Sequence, residues 1–253
     1  MTELSAITPW IQAIACITTL GLAAALAERA GLDALVAYGA GVAGLAGALV
    51  GGHLVVVLSD PGTLADDPSR LFAIWQTDKA ALGAFAGAGI GGSIALRWSN
   101  RPVARYADVT VPAVVIGYAI YRLGCWVKGC EQGIATDMPW AVSYGASAAV
   151  HPIGLYHAVL ALTIFAVLWR KPFGAGRGEQ SVLALALYAS VRFFLEMLRA
   201  EPTWALGLTL GQTSCLVAIA VAAAFGIRLW TRRQDTPVPA DASSGVSRPS
   251  AAS

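Results

Sequence analysis

Charge is scarce in this chain. Asp, Glu, Lys and Arg make up 13% of its 253 residues, against roughly 25% in soluble globular domains. Apolar residues reach 57% and the mean hydropathy is +0.63. That balance excludes an ordinary soluble domain and indicates an integral membrane protein. No basic stretch precedes the first apolar run, where Glu3 stands instead, so no cleavable signal peptide is expected. There are three His and four Cys, and no Cys-x-x-Cys spacing. Neither a metal site nor a cofactor is expected from so sparse a set of ligands. The formal net charge of +2 decides nothing about nucleic acid by itself, and no nucleic-acid partner is expected.

What the chain does have is apolar segments near the ~20 residues a spanning helix needs. Seven can be drawn, at 10–28, 35–58, 80–97, 108–127, 152–169, 181–198 and 205–229. The expected fold is all-α and polytopic, with about seven transmembrane helices. Gly83, Gly87, Gly89, Gly91 and Gly92 crowd one segment, and small residues at such spacing suit close helix packing in lipid. Residues 1–233 read as one membrane domain. Residues 234–253, rich in Pro, Ser and Ala, read as a disordered cytoplasmic tail. The connections at 59–79 and 128–150 are long enough to carry partial helices or lids.

Orientation follows from the basic residues in the connections. One side collects ten: Arg29, Arg97, Arg101, Arg105, Arg170, Lys171, Arg177, Arg228, Arg232 and Arg233. The other has Arg70, Lys79, Lys128 and Arg199. The expected N-terminus is therefore outside and the C-terminus cytoplasmic.

Against this background the charges inside apolar segments stand out. Each costs on the order of 2.5–3.5 kcal/mol to insert, and such residues usually face a bundle interior or wet cavity. Tyr188, Arg192 and Glu196 lie at i, i+4 and i+8 and share one helix face. Arg192 sits about 9 Å below the outer end of its segment, at ~1.5 Å rise per residue. Arg122, His151, Tyr156, His157, Gln212 and Lys79 fall at the same end of their segments. A site open to the outer leaflet accounts for all of them. Two readings of the arginines stand open: Arg192 pairs with Glu196 only to make burial tolerable while Arg122 snorkels, or the two guanidinium forks hold a phosphate. Their coincidence beside a His-bearing segment favours a lipid headgroup.

The remaining histidines and cysteines have plainer readings. His53, mid-segment, is expected to be packed or hydrogen-bonded. His157 does not share a face with His151. Cys16 and Cys215 are expected to be buried small hydrophobes. Cys125 and Cys130 flank a turn on an oxidising side, as a disulfide or as a redox pair.

Three stretches carry a resemblance to a known family. The first runs Tyr121-Arg122-Leu123-Gly124-Cys125-Trp126-Val127-Lys128-Gly129-Cys130-Glu131-Gln132-Gly133, followed by Thr136-Asp137-Met138-Pro139-Trp140. The second is His151-Pro152-Ile153-Gly154-Leu155-Tyr156. The third runs from Tyr188 through Arg192, Glu196 and Arg199 to Pro202, followed by Leu208-Thr209-Leu210-Gly211-Gln212. In this order they resemble the motifs of prolipoprotein diacylglyceryl transferases, clearly over about residues 108–225. The resemblance implies a seven-helix transferase of the bacterial plasma (inner) membrane. Its reaction would move the diacylglyceryl group of phosphatidylglycerol to the lipobox cysteine thiol of a preprolipoprotein signal peptide, among membrane lipids.

The resemblance makes Arg122 the phospholipid-contacting signature Arg and Arg192 the essential Arg of the penultimate helix. Glu196, Arg199, Gly133, Tyr188 and Gln212 join the site. His151 stands as a base or as the structural start of a helix beside Pro152. The family's aromatic or His residue followed by Gly-Gly is missing from Trp75–Gly83, and Lys79 falls near its position. Two rival functions follow from the departures: a divergent relative that binds anionic phospholipid without transfer, and a membrane thiol-redox protein using Cys125 and Cys130.

Overall fold

The computed structural model describes residues 6–59, 61–72, 81–145, 147–170, 176–199 and 203–234. The main helices are α1 (Thr8–Arg29), α2 (Ala34–Ser59), the short α3 (Pro61–Asp66), α4 (Ala81–Trp98), α5 (Val103–Lys128), α6 (Ile153–Arg170), α7 (Glu179–Leu195) and α8 (Leu210–Gln234). Among the described residues, α1, α2, α5, α6, α7 with its 3-10 extension, and α8 are long and apolar enough to cross a membrane. The chain is an all-α, multi-pass membrane protein. The third expected segment forms α4, with Ala80 outside the described residues. Lys79 and the tail beyond Gln234 also lie outside them.

Glycine determines how α2 and α4 meet. A Cβ added to Gly47 would run into the carbonyl of Gly87, one on Gly51 into that of Gly83, and one on Gly91 into that of Ala43. The two backbones touch because neither carries side chains along this seam, which is the packing that lipid favours. Elsewhere apolar side chains fill the interior. Leu26, Ala27, Ala37, Leu96, Tyr106 and Ala113 form one core, and Leu160, Ile164, Leu168 and Ala184 a second. Large apolar residues including Trp10, Ile17, Leu35, Phe194 and Trp230 point outward, as expected of a surface solvated by lipid. Cys16 corrects the sequence reading for this reason: it is exposed on α1 while Cys215 is buried. An apolar segment in a membrane protein has an outer face that no protein covers.

At the end of the bundle away from the arginine site, Asp108 anchors α7. Its carboxylate accepts from the backbone N–H groups of Gly178 (2.8 Å), Glu179 (3.1 Å) and Ser181 (3.0 Å), and from the Ser181 hydroxyl (3.0 Å). These are the free donors of a helix start, satisfied here by a buried anion from a neighbouring helix.

Helix α5 begins at Val103 rather than 108, and α8 runs on to Gln234 rather than 229. Residues 205–209 do not begin the last helix. Thr203–Ala205 and Leu208–Thr209 pair as a short antiparallel hairpin, turned by Leu206 and Gly207 at φ 53° and 74°. The helix then starts with a reciprocal cap. Thr209 N–H donates to Gln212 Oε1 at 3.0 Å, and Gln212 N–H donates to Thr209 Oγ1 at 3.1 Å, a Thr-x-x-Gln capping box. The 128–150 connection carries isolated bridges, Gly133 with Arg199 and Val150 with Ala135 and Val142, in place of partial helices. The 59–79 connection holds α3 and a 3-10 turn, Pro68–Leu71. His53 Nε2 donates to the carbonyls of Arg70 (3.0 Å) and Leu71 (3.2 Å), tying that turn to α2.

Candidate active site: a buried cluster of arginines and glutamates

Helix α5 ends at Gly129, whose left-handed conformation (φ 74°) reverses the chain. The N–H groups of Gly129 and Cys130 both donate to the Cys125 carbonyl, at 2.9 and 3.1 Å. The reversal lays Glu131 back over the last turns of α5, where its Oε2 comes 2.5 Å from Arg122 Nη1. Gly133 holds the turn down. Its N–H donates to the His151 carbonyl at 3.1 Å, and an added Cβ would meet His151 Cβ at 2.6 Å and the Leu198 carbonyl at 2.9 Å. Only a residue without a side chain lets three segments approach this closely.

Around that turn lies a connected polar cluster. Arg122 Nε donates to Tyr118 Oη at 2.6 Å, and Tyr118 Oη is 2.7 Å from Tyr188 Oη. Arg192 donates from Nη1 to His157 Nε2 at 3.0 Å, and its Nη2 is 3.3 Å from Glu196 Oε2. Arg199 Nη1 reaches Glu196 Oε1 at 3.3 Å and Glu131 Oε1 at 3.9 Å. His157 Nε2 is 3.9 Å from Glu131 Oε2. Glu131 and His157 therefore bridge the two arginines that the sequence pairs.

Burial sets the energetics. Arg122, Arg192, Glu196 and His157 are all buried, and charges in such a place persist only when paired. Because a guanidinium only donates, Nε2 of His157 must accept, so the ring is neutral and carries its proton on Nδ1. That N–H is buried and meets no acceptor among the described residues. Among the described residues the cluster holds three guanidinium groups and two carboxylates. Glu131 lies beyond the end of α5. Burial pushes its carboxyl up, but the Arg122 guanidinium, and then Arg199 and His157, overcome this and hold it down at about 2.

The expected residues separate into two groups. Arg122, Arg192, Glu196, Arg199 and Tyr188 are brought together. Gln212 uses its Oε1 to cap α8, and Gly133 is a packing position; neither arrangement by itself makes a ligand contact. His151 engages Tyr156 Oη through Nδ1 at 3.0 Å, and that hydroxyl also accepts from Trp140 Nε1 at 2.6 Å. Among the described residues this is the polar contact of the His151 ring. Cys125 and Cys130 are both free thiols, which corrects the disulfide reading. Among the described residues no group of three or more His, Cys, Asp or Glu could hold a metal.

Glu131 and Tyr118 join the site as residues the sequence did not single out, and His157, expected at that depth, joins it as the partner of Arg192. His157 was compared with His151 on its own helix, whereas its partner is on α7. Tyr118, one turn before Arg122, was legible from i, i+4 spacing. Glu131 had a weaker signal: an acidic residue two before a glycine that the resemblance already marked.

Comparison with known proteins follows the same residues. Residues 10–228 match the sequence profile of the prolipoprotein diacylglyceryl transferase family. A phosphatidylglycerol–prolipoprotein diacylglyceryl transferase of Methylibium petroleiphilum is 34% identical over 204 residues, covering 74% of each chain. One from Corynebacterium diphtheriae is 33% identical over 216 residues, 75% of this chain and 76% of its own. Transferase 1 of Streptomyces coelicolor is 31% identical over 186 residues, 69% of this chain and 54% of its own.

Proposed function

This chain belongs to the prolipoprotein diacylglyceryl transferase family, and from that premise we propose that it moves the diacylglyceryl group of phosphatidylglycerol to the lipobox cysteine of preprolipoproteins. The observation that carries the reading is the buried cluster of Arg122, Arg192 and Arg199 with Glu131 and Glu196. Among the described residues its guanidinium groups outnumber its carboxylates, which suits an anionic phosphodiester.

The chemistry follows from the chain's own residues. The acceptor thiolate attacks the glycerol carbon that bears the phosphate, and glycerol phosphate leaves with growing negative charge. Arg122 and Arg192 are preorganised to meet that charge, Arg122 by Tyr118 and Arg192 by Glu196 and His157. Fixed donors aimed at developing charge in a site that excludes water are an efficient form of catalysis. Glu196 orients Arg192 and Arg199, and Tyr188 orients Tyr118.

The basic residues gather at the end opposite the site, so the reading places the site on the outer face of a bacterial inner membrane with the C-terminus in the cytoplasm. The outward position matches an acceptor whose signal peptide has been threaded across that membrane.

Depletion rescue tests the function. The chain is expressed in a bacterium whose own transferase is switched off, and the mass of an abundant lipoprotein is followed. The expected outcome is the diacylglyceryl-modified form, absent with Arg122→Ala or Arg192→Ala. Membrane insertion without any modified product, repeated with purified protein and lipobox peptide, would overturn it.

A further inference from the structure

We propose that Glu131 is both the stand-in for the lipid phosphate on Arg122 and the proton acceptor for the incoming thiol. The inference rests on the transferase reading above and assigns a residue for the step it leaves open, thiol deprotonation.

The two carboxylates of the cluster differ in how firmly they are held. Glu196 is 2% exposed and pairs with both Arg192 and Arg199. Its carboxylate also lies against Gly211 so closely that an added Cβ there would collide with it. Glu196 has nowhere to go. Glu131 is 16% exposed and is carried by the surface turn after α5 rather than by a spanning helix. Its Oε2 approaches Arg122 at Nη1, while Arg122 Nε is taken by Tyr118 Oη. The planar fork of a guanidinium suits two oxygens of one group. A phosphodiester presents that pair of oxygens and carries the same unit charge as Glu131, so it can take over Arg122 with the charge balance intact.

Displacement changes what Glu131 can do. While it faces Arg122 its carboxyl is held at about 2, far too weak to take a proton from a thiol. Of the influences on it, burial is the largest and acts upward, and Arg122 is the strongest acting downward. When the phosphate occupies Arg122, burial is opposed chiefly by Arg199, whose Nη1 is 3.9 Å from Glu131 Oε1. Lipid binding therefore switches on the base.

The step balances as follows. The thiol S–H bond breaks and its proton passes to a Glu131 oxygen. The sulfur electron pair forms the S–C bond to the glycerol carbon, and the C–O bond to phosphate breaks with its electrons leaving on that oxygen. Glu131 then returns its proton to the departing glycerol phosphate and recovers Arg122 as that product leaves.

The test uses the purified full-length protein with Glu131→Gln and Glu131→Asp, checked for folding by thermal melting. Three quantities are read: affinity for short-chain phosphatidylglycerol, transfer to a lipobox peptide, and transfer to the same peptide with selenocysteine in place of cysteine. A selenol is already ionised at neutral pH and needs no base. For Glu131→Gln the expected results are lipid binding tightened by about tenfold or more, and thiol transfer reduced by about 100-fold or more, the usual contribution of a general base. Selenol transfer should be restored to near the wild-type level. Unchanged or weaker lipid binding would overturn the stand-in role. Retained thiol transfer, or no recovery with selenol, would overturn the base role. Should Glu131→Gln fail to fold, Glu131→Asp carries the same readings with smaller shifts, since its carboxylate is one methylene short of Arg122. Wild-type protein without transfer would overturn the transferase reading and the base role with it, while the binding comparison would still decide the stand-in.

Discussion

His157 Nε2 faces Arg192 Nη1 at 3.0 Å across the α6–α7 interface, fixing the ring in one tautomer and the guanidinium in one orientation. A hydrogen bond to a charged group is worth about 1.5–3 kcal/mol, or roughly 10- to 150-fold in rate if the orientation matters only in the transition state. His157→Phe should lower kcat by that order and leave KM for phosphatidylglycerol within a few-fold. His157→Gln, which keeps an acceptor, should recover part of the loss. Equal loss in both variants, tracking the amount of folded protein, would reduce His157 to a packing residue.

Arg192 is held by two partners at once, and this makes Lys a poor replacement. An ammonium is a point charge that cannot satisfy His157 and Glu196 together while also offering a fork to phosphate. Arg192→Lys should abolish most transfer yet melt close to wild type. Arg192→Met should also be unstable, because Glu196 is 2% exposed and losing one partner of a buried pair costs about 3–5 kcal/mol. Arg199 moderates that cost. Adding Glu196→Gln to Arg192→Met should restore thermal stability and leave activity absent, which detergent-phase melting and peptide transfer assays would separate.

How much of this could be read from the sequence differs by kind of interaction. The spanning helices were legible because lipid demands long apolar segments, and α1, α2 and α6 begin and end within two residues of expectation. Arg122, Arg192 and Glu196 were legible because charge in such segments needs a reason. What was not legible depends on the turns between helices. Glu131 belongs to the site only because Gly129 reverses the chain. His157 belongs to it because α6 and α7 present facing residues, which the periodicity of one helix does not encode. Gln212 shows the converse: the side chain expected at the site also makes a local cap with Thr209, which depth along a segment does not encode.

The α2–α4 seam gives a contrast within one helix. Gly87 touches the Gly47 backbone, while a Cβ on Gly89 would have nothing within 4 Å. Gly87→Ala should separate the helices and cost about 1–3 kcal/mol or more, because a backbone carbonyl cannot step aside as a side chain can. Gly89→Ala should be neutral or stabilise by up to about 1 kcal/mol through helix propensity. Thermal melting of the two variants in one detergent decides the point, and equal effects would mean that the glycines do not set the packing.

Asp108 tests whether the site depends on an anchor at the far end of α7. Asp108→Ala leaves three backbone N–H groups and the Ser181 hydroxyl without their acceptor. A lost cap costs about 0.5–2 kcal/mol, and burial of these donors places the expected loss at the upper end. Transfer per folded molecule should be unchanged, since Asp108 is far from the chemistry. A drop in kcat at constant folded fraction would mean that the anchor sets the height of Arg192.

Cys130 offers a direct check of orientation. It is exposed, unbonded, and beyond the end of α5, whereas Cys125 and Cys215 are buried and Cys16 opens onto lipid. A membrane-impermeant maleimide added to intact cells should therefore modify Cys130 alone, without prior reduction, and Cys130→Ser should remove the signal. Modification only after lysis would invert the proposed topology. A requirement for reductant would mean that the two thiols close into a disulfide. The hydrogen bond from Cys125, and then the charge of Lys128, lower the Cys130 thiol to about 7 against the opposing effects of burial and Glu131. A lowered value means that the reactive thiolate is half formed by about pH 7. The labelling rate should then level off above that pH, while an ordinary thiol, near 8.5, would still be gaining.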